Sequence, residues 1–134
     1  MTPAEIIADM MENDAYSQWL GITILETGAG YAKIQLTVRP DMLNGHGIAH
    51  GGITYSLSDS CFAFASNSRG RKAVSIETSI SHVAAVAEGD VLTAESSEDS
   101  LNHKIGVYHI KVTNQREETV ALFKGMVYRK KEVW

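Results

Sequence analysis

One cysteine among 134 residues cannot form a disulfide within the chain. A chain this long can build its own core without such staples. Cys61 has no cationic neighbour in sequence to activate it, so it reads as a small core residue rather than a nucleophile. Basic residues are not in excess. The net charge is −4, which points away from nucleic acid and from anionic membrane surfaces as partners. No apolar run approaches the ~20 residues needed to cross a bilayer. The segment Met1 to Asp9 lacks a basic stretch followed by an apolar one, so no secretory signal is expected. Together with the lone cysteine this predicts a cytoplasmic protein. Repeats, low-complexity tracts and linkers are also missing, so residues 1–134 are expected to form a single domain. His46 and His50 lie four apart on a glycine-rich loop, but no third ligand follows at a useful spacing, and no metal or other cofactor is expected. The Ser56-Leu57-Ser58 triplet lacks the G-x-S-x-G setting of a serine hydrolase.

What is present is organised around one apolar helix. From His50 to Ser68 the chain carries a single charged side chain, Asp59. A helix so poor in charge belongs in an interior. An ionised carboxylate there costs free energy unless it is hydrogen-bonded, and its pKa tends to rise. Such groups collect at catalytic sites, although an Asp tied to a hydroxyl or backbone group for structural reasons fits the helix equally well.

The flanking segments complete an α+β pattern. Thr2 as N-cap, Pro3 in the first turn and Glu5 at N3 start a helix over 3–13. Asn13-Asp14 can cap a short second helix ending near Leu20-Gly21. Residues 22–26 and 31–38 read as strands around a turn at Thr27 to Gly30, and 39–49 as a loop. After the 51–68 helix, strands are expected over 72–83, 91–101, 105–114 and 119–129, separated by turn residues. Strands joined by short turns pair antiparallel, and the hydrophobic face of such a sheet needs a cover. The long apolar helix is the one segment of suitable length, so a curved antiparallel sheet should wrap around it.

The helix opens on His50-Gly51-Gly52. Glycine lets another group approach the backbone closely. The first N–H groups of a helix have no intrahelical partner and carry the positive end of its dipole. One of them is therefore a ready donor for an oxyanion. Gly51 and Asp59 are eight residues apart, roughly 12 Å along a helix, so one carbonyl cannot touch both. Two helices packed antiparallel across a two-fold axis would bring Gly51 of one subunit to Asp59 of the other.

The run Met42-Leu43-Asn44-Gly45-His46, then His50-Gly51-Gly52, then Asp59, resembles the hotdog-fold acyl-CoA thioesterases, and most closely their phenylacetic-acid-degradation (PaaI-type) branch. The likeness continues through Met11 to Ala15, Ala63 to Gly70 and Thr119 to Gly125. It implies a sheet of five or six strands around one central helix, a dimer made by sheet continuation, and often a tetramer. It implies hydrolysis of an acyl-CoA, aryl-acetyl compounds such as phenylacetyl-CoA or hydroxyphenylacetyl-CoA included, with coenzyme A as part of the substrate. On this resemblance the catalytic acid falls on Asp59, the oxyanion glycine on Gly51 and the loop asparagine on Asn44, while His50 orders the loop. Gly52 and Ser75 are placed with the substrate. Relatives often carry Arg-Pro after the next strand; here the stretch is His82-Val83-Ala84-Ala85. Contacts to the CoA phosphates are therefore sought at Arg69, Arg71 and Lys72, or at Lys104, Lys124 and Arg129.

Two other functions fit parts of the pattern. An enoyl-CoA hydratase on the same fold would use Asp41 and His46, which have the right separation, but Gly45 stands where a proline belongs and Asp59 would have no role. A non-catalytic acyl-CoA-binding module would share the fold without the chemistry.

Overall fold

The computed structural model describes residues 1–134. Helix α1, Pro3–Glu12, opens on a capping box in which the Thr2 side chain accepts from the Glu5 N–H and Glu5 returns the bond. Its Ile6 and Ile7 are buried. Helix α2, Ala15–Leu20, is capped by Asp14, which accepts from the Ser17 N–H at 2.9 Å, and ends on Gly21 at φ 74°. That left-handed turn is open to glycine at little cost. Strands β1 (Thr23–Gly28) and β2 (Tyr31–Thr37) form a hairpin. A loop follows with one 3-10 turn at Pro40–Met42, closed by a bridge between Leu43 and Ala49. Then come α3 (Gly51–Asn67), β3 (Arg71–His82), β4 (Val91–Leu101), β5 (Ile105–Thr113) and β6 (Thr119–Val133).

All six strands join one antiparallel sheet in the order β1-β2-β4-β5-β6-β3. The sheet's inner face carries Ala32, Ile34, Ala94, Tyr108, Ile110 and Phe123, and α3 lays Ile53, Leu57, Cys61, Phe62, Phe64 and Ala65 on it. Full burial of each large apolar side chain contributes about 1.5–3 kcal/mol. The approach is close at Gly125 of β6, where a Cβ would lie 2.6 Å from the Phe62 ring. The Cys61 thiol is wholly buried near the carbonyls of Ala32 and Ala94, and burial pushes its pKa up, so it is a core residue. The expected α+β architecture is therefore the observed hotdog arrangement.

Two boundaries differ from the sequence expectation by more than one residue. Strand β1 continues to Gly28, which shortens the turn to Ala29-Gly30. Strand β6 runs past Arg129 to Val133, because β3 reaches back to Arg71 and offers it a partner. Strand β3 is one edge of the sheet, with β1 the other; it is twelve residues long and leaves Val74 and Ile76 exposed. No helix is long and apolar enough to cross a membrane.

Candidate functional site

The start of α3 places two glycines between two imidazoles. His50 is the N-cap: its Nδ1 accepts from the Gly52 N–H at 2.9 Å, and its carbonyl accepts from the Ile53 N–H at 2.9 Å. Its own N–H donates to Met42 O at 2.8 Å, which ties the loop to the helix. The Gly51 N–H has no partner and the residue is exposed. Neither glycine has a positive φ, so backbone conformation does not require them. Space does. A Cβ on Gly51 would lie 3.3 Å from His82 Nε2, and one on Gly52 would lie 3.1 Å from His50 Nδ1.

Gly51 opens into a cavity of about 420 Å³. Asn44, Ile48, Ala49, Thr54, His82 and the Val83 to Val86 segment complete its wall. Asn44 Oδ1 accepts from the His46 N–H at 2.9 Å, which fixes the side chain and leaves its Nδ2 without a partner. His82 Nδ1 lies 3.1 Å from Thr54 Oγ1, and that hydroxyl donates to Gly51 O at 3.0 Å. Gly52 instead faces a second cavity of about 380 Å³, lined by Tyr16, Trp19, Asp41, Met42 and His50 among others. With its N–H held by His50, Gly52 has no free donor to offer a ligand.

Asp59 lies two turns further along α3. The helix buries most of its residues and leaves Gly52, Ser56, Asp59 and Ala63 on one incompletely covered stripe. No hydrogen bond reaches the half-buried Asp59 carboxylate. Its pKa is raised, first by burial and second by the negative charge of Asp14. Asp14 is itself held by Ser17, whose hydroxyl lies 2.8 Å from that of Ser60. Ionised and unpaired, Asp59 is a stronger base than a solvated carboxylate.

The other expected site residues are dispersed. Ser75 is exposed on β3, opposite Val127 and beside a bulge. Tyr55, one turn before Asp59, bonds to Thr78 on the same strand at 2.5 Å, so β3 runs alongside this part of α3. Arg69 and Lys72 sit beyond the far end of α3, a helix about 25 Å long at ~1.5 Å per residue. Arg69 is bound to Glu98 at 2.6 and 3.1 Å, and Lys72 lies 3.5 Å from Glu132 and over the Trp134 ring. Arg71 donates to the carbonyls of His103, Arg129 and Lys130, and Arg129 to that of Asn102. Asp41 is paired with Arg39 and faces the second cavity, while His46 is exposed and lines neither, so the hydratase pair is not assembled. His82 is the cavity residue that sequence reasoning missed. The signal was the loss of the Arg-Pro pattern at His82 to Ala85, read only as an absence.

Comparison with known proteins gives a consistent picture. The thioesterase superfamily pattern matches residues 46–121. The chain is 42% identical over 120 residues to the acyl-coenzyme A thioesterase PaaI of Escherichia coli K12, covering 90% of this chain and 86% of that one. The solved structure of the E. coli PaaI protein from the phenylacetic acid degradation operon superimposes with a TM-score of 0.95 at 39% identity, over 98% of this chain and 95% of that one. A Streptococcus mutans UA159 protein solved bound to acetyl CoA superimposes with a TM-score of 0.81 at 25% identity, over 84% and 91% of the two chains.

Proposed function

Since the chain belongs to the thioesterase superfamily and is a thioester hydrolase of the acyl-CoA thioesterase kind, we propose that it hydrolyses an aryl-acetyl-CoA, of the phenylacetyl-CoA or hydroxyphenylacetyl-CoA type, with Asp59 as the acid–base group and Gly51 as the oxyanion donor. The observation that carries this reading is the unpaired Gly51 N–H at the open start of α3, on the same helix as a half-buried, unpaired carboxylate. The substrate class rests on the likeness to PaaI of E. coli, whose structure is described as coming from the phenylacetic acid degradation operon.

In this mechanism the pantetheine arm enters the 420 Å³ cavity and the thioester oxygen meets the Gly51 N–H. Asn44 Nδ2 supplies a further donor on the cavity wall. His50 keeps the first turn in place by holding Gly52. The ionised Asp59 then either takes a proton from an attacking water or attacks the carbonyl itself to give a mixed anhydride that water opens. Both routes release the free acid and coenzyme A.

Gly51 and Asp59 of one chain are roughly 12 Å apart along α3, so each site takes Asp59 from a second copy. The exposed β3 edge, with Val74 and Ile76, supports a homodimer by sheet continuation, on which a homotetramer can be built. Complementation tests the shared site. Gly51→Val blocks the oxyanion donor and keeps the acid; Asp59→Asn does the reverse. Each homo-oligomer should be nearly inactive, and subunit exchange should restore activity, up to about half per mixed dimer because one of two sites is intact. No return of activity with folded, exchanging subunits would rule the arrangement out. A panel of aromatic, short-chain and medium-chain acyl-CoAs tests the substrate class, with the highest kcat/KM expected for the aryl-acetyl thioesters.

A further inference from the structure

We propose that His82 is a second oxyanion donor: its Nε2–H hydrogen-bonds the thioester oxygen beside the Gly51 N–H. This deepens the thioesterase reading and rests on it. Three observations point the same way. The imidazole lies against the first residue of α3, with Nε2 3.3 Å from the Cβ position of Gly51 and Cε1 3.5 Å from it. It lines the cavity into which the free Gly51 N–H opens, and no other residue of that wall is ionisable. The ring is also oriented by a specific relay rather than loosely placed.

The relay fixes which nitrogen faces the substrate. Thr54 Oγ1 lies 3.0 Å from Gly51 O and 3.1 Å from His82 Nδ1. The hydroxyl thus holds Nδ1, and Nε2 is the ring nitrogen beside the start of α3, 3.3 Å from the Cβ position of Gly51. With the hydroxyl hydrogen shared between Gly51 O and Nδ1, the ring hydrogen sits on Nε2 and is available to the thioester oxygen. His82 is exposed in the single chain, and the bound acyl-CoA replaces the water at Nε2. Thr54 sets the ring's orientation by holding Nδ1, and the Gly51 side chain is absent where the ring and the oxygen must meet.

The step is balanced without a proton leaving His82. The nucleophile's electron pair forms the new C–O bond, and the carbonyl π pair moves onto oxygen between the two donors. The pair returns as the C–S bond breaks, leaving the sulfur as thiolate. That thiolate takes up a proton from solvent or from Asp59. Addition to the carbonyl is where oxygen gains charge, so the donors act on that barrier. The same stabilisation serves attack by water and attack by Asp59.

The test compares His82→Phe, which keeps a ring and removes the donor, with His82→Gln, which keeps an N–H. Removal of one oxyanion donor typically costs ~10²–10³ in kcat. His82→Phe is expected to lose about 10² in kcat, to change KM little, and to bind a CoA thioether lacking the carbonyl as the wild type does. His82→Gln should recover part of the loss, and imidazole added to His82→Ala should recover part as well. A His82→Phe enzyme within threefold of wild-type kcat would overturn the proposal, as would equal losses in thioether binding and kcat. Should His82→Phe fail to fold, a His82→Ala enzyme within threefold of wild-type kcat in the absence of imidazole decides against the proposal equally. The wild type and Asp59→Asn are assayed alongside. Hydrolysis by the wild type that Asp59→Asn abolishes and His82→Phe keeps would sink this inference alone; no hydrolysis of any acyl-CoA by the wild type would sink the underlying reading.

Discussion

Asn67, in the last turn of α3, uses its whole amide. Its Nδ2 donates to the carbonyls of Ala63 and Ala73, and its Oδ1 accepts from the Ala73 N–H and the Trp134 indole. Next to it Ser68 accepts from the Gly30 N–H and donates to Ala65 O, and Arg69 locks onto Glu98, which also holds Tyr108. Gly51, in the first turn, does the opposite: its N–H is unpaired, it has no side chain, and it faces a cavity. Asp59, between the two ends, carries a charge with no partner. One helix thus has a saturated end and an unsatisfied one. The saturated end connects α3 to β2, β3, β4 and the end of β6. The open end keeps polar groups that only a substrate or a second subunit can satisfy, which is the usual place for function to be held at a cost in stability.

The largest expected effect breaks the open end without touching the closed one. Asp59→Asn should lower kcat by ~10²–10⁴, the typical share of a general base. Its Tm at neutral pH should match or exceed that of the wild type. The sign follows from the raised pKa. A carboxyl that holds its proton more tightly when folded costs stability as pH rises from the ordinary carboxylate value through the raised folded value. The variant's advantage should therefore be absent in strong acid and complete above that window. Turnover above about a tenth of wild type, well short of that ~10²-fold loss, would make Asp59 structural.

The second test attacks the closed end. Asn67→Ala leaves the Ala73 N–H and carbonyl and the Trp134 indole without their partner in a site only 4% exposed. Leaving buried polar groups unsatisfied costs about 1–3 kcal/mol. Denaturant unfolding should show that loss, while kcat measured well below the midpoint should stay within about twofold of wild type, because a distant stability change is not expected to alter the chemistry. A fall in kcat as large as that of Asp59→Asn would mean that the two ends are not separable.

The same contrast explains what the sequence could and could not show. The extent of α3 was legible because it is a long run with one charge, bounded by His-Gly-Gly and by Ser-Arg-Gly. Asp59 stood out because nothing near it in sequence could pair with it, and Gly51 because a helix start with two glycines is unusual chemistry in a buried element. The closed end was not legible. Arg69 looked available for a phosphate, yet Glu98, 29 residues away, claims it once β4 is in register. Lys72 likewise meets Glu132 only because β6 continues to Val133, through a charged stretch that reads as a tail. His82 was hidden for the same reason in reverse: it is 31 residues from Gly51, and only the placement of β3 against α3 brings the ring to the helix start. Local pattern revealed the groups that have no partner; long-range register decided the pairs.

A smaller effect probes the charge that closes the C-terminal end. Burial alone would raise the Glu98 pKa, but hydrogen bonds from Arg69 and Tyr108 outweigh it and hold the carboxyl below its ordinary value. A depressed acid contributes stability above the unfolded value, and that contribution is lost as pH falls through the folded one. Arg69 is partly solvated, so the pair is worth about 0.5–1 kcal/mol. Glu98→Gln should therefore unfold at lower denaturant than the wild type at pH 7, with the difference shrinking as pH falls below the ordinary glutamate value near ~4.3 and vanishing only below the lower folded value. A difference that persists unchanged in acid would assign the loss to packing instead.

The smallest effect concerns the one charge that the rest of the chain sets against the site. Asp14 is the second cause of the raised Asp59 pKa, after burial. Asp14→Asn removes its negative charge and keeps a side-chain oxygen for the Ser17 N–H, and Asn is as good an N-cap as Asp. Helix α2 should therefore stay formed. With the repulsion gone, ionised Asp59 is favoured and its pKa moves down toward the ordinary range, while burial still keeps it raised. If Asp59 must be ionised to act, the acid limb of the kcat/KM profile should shift to lower pH in Asp14→Asn. The alkaline plateau should change little. At a pH on the wild-type limb the variant should be the faster enzyme, although at neutral pH the two differ little. A limb that stays in place, or moves to higher pH, would show that the group controlling activity in acid is not the carboxylate that Asp14 faces.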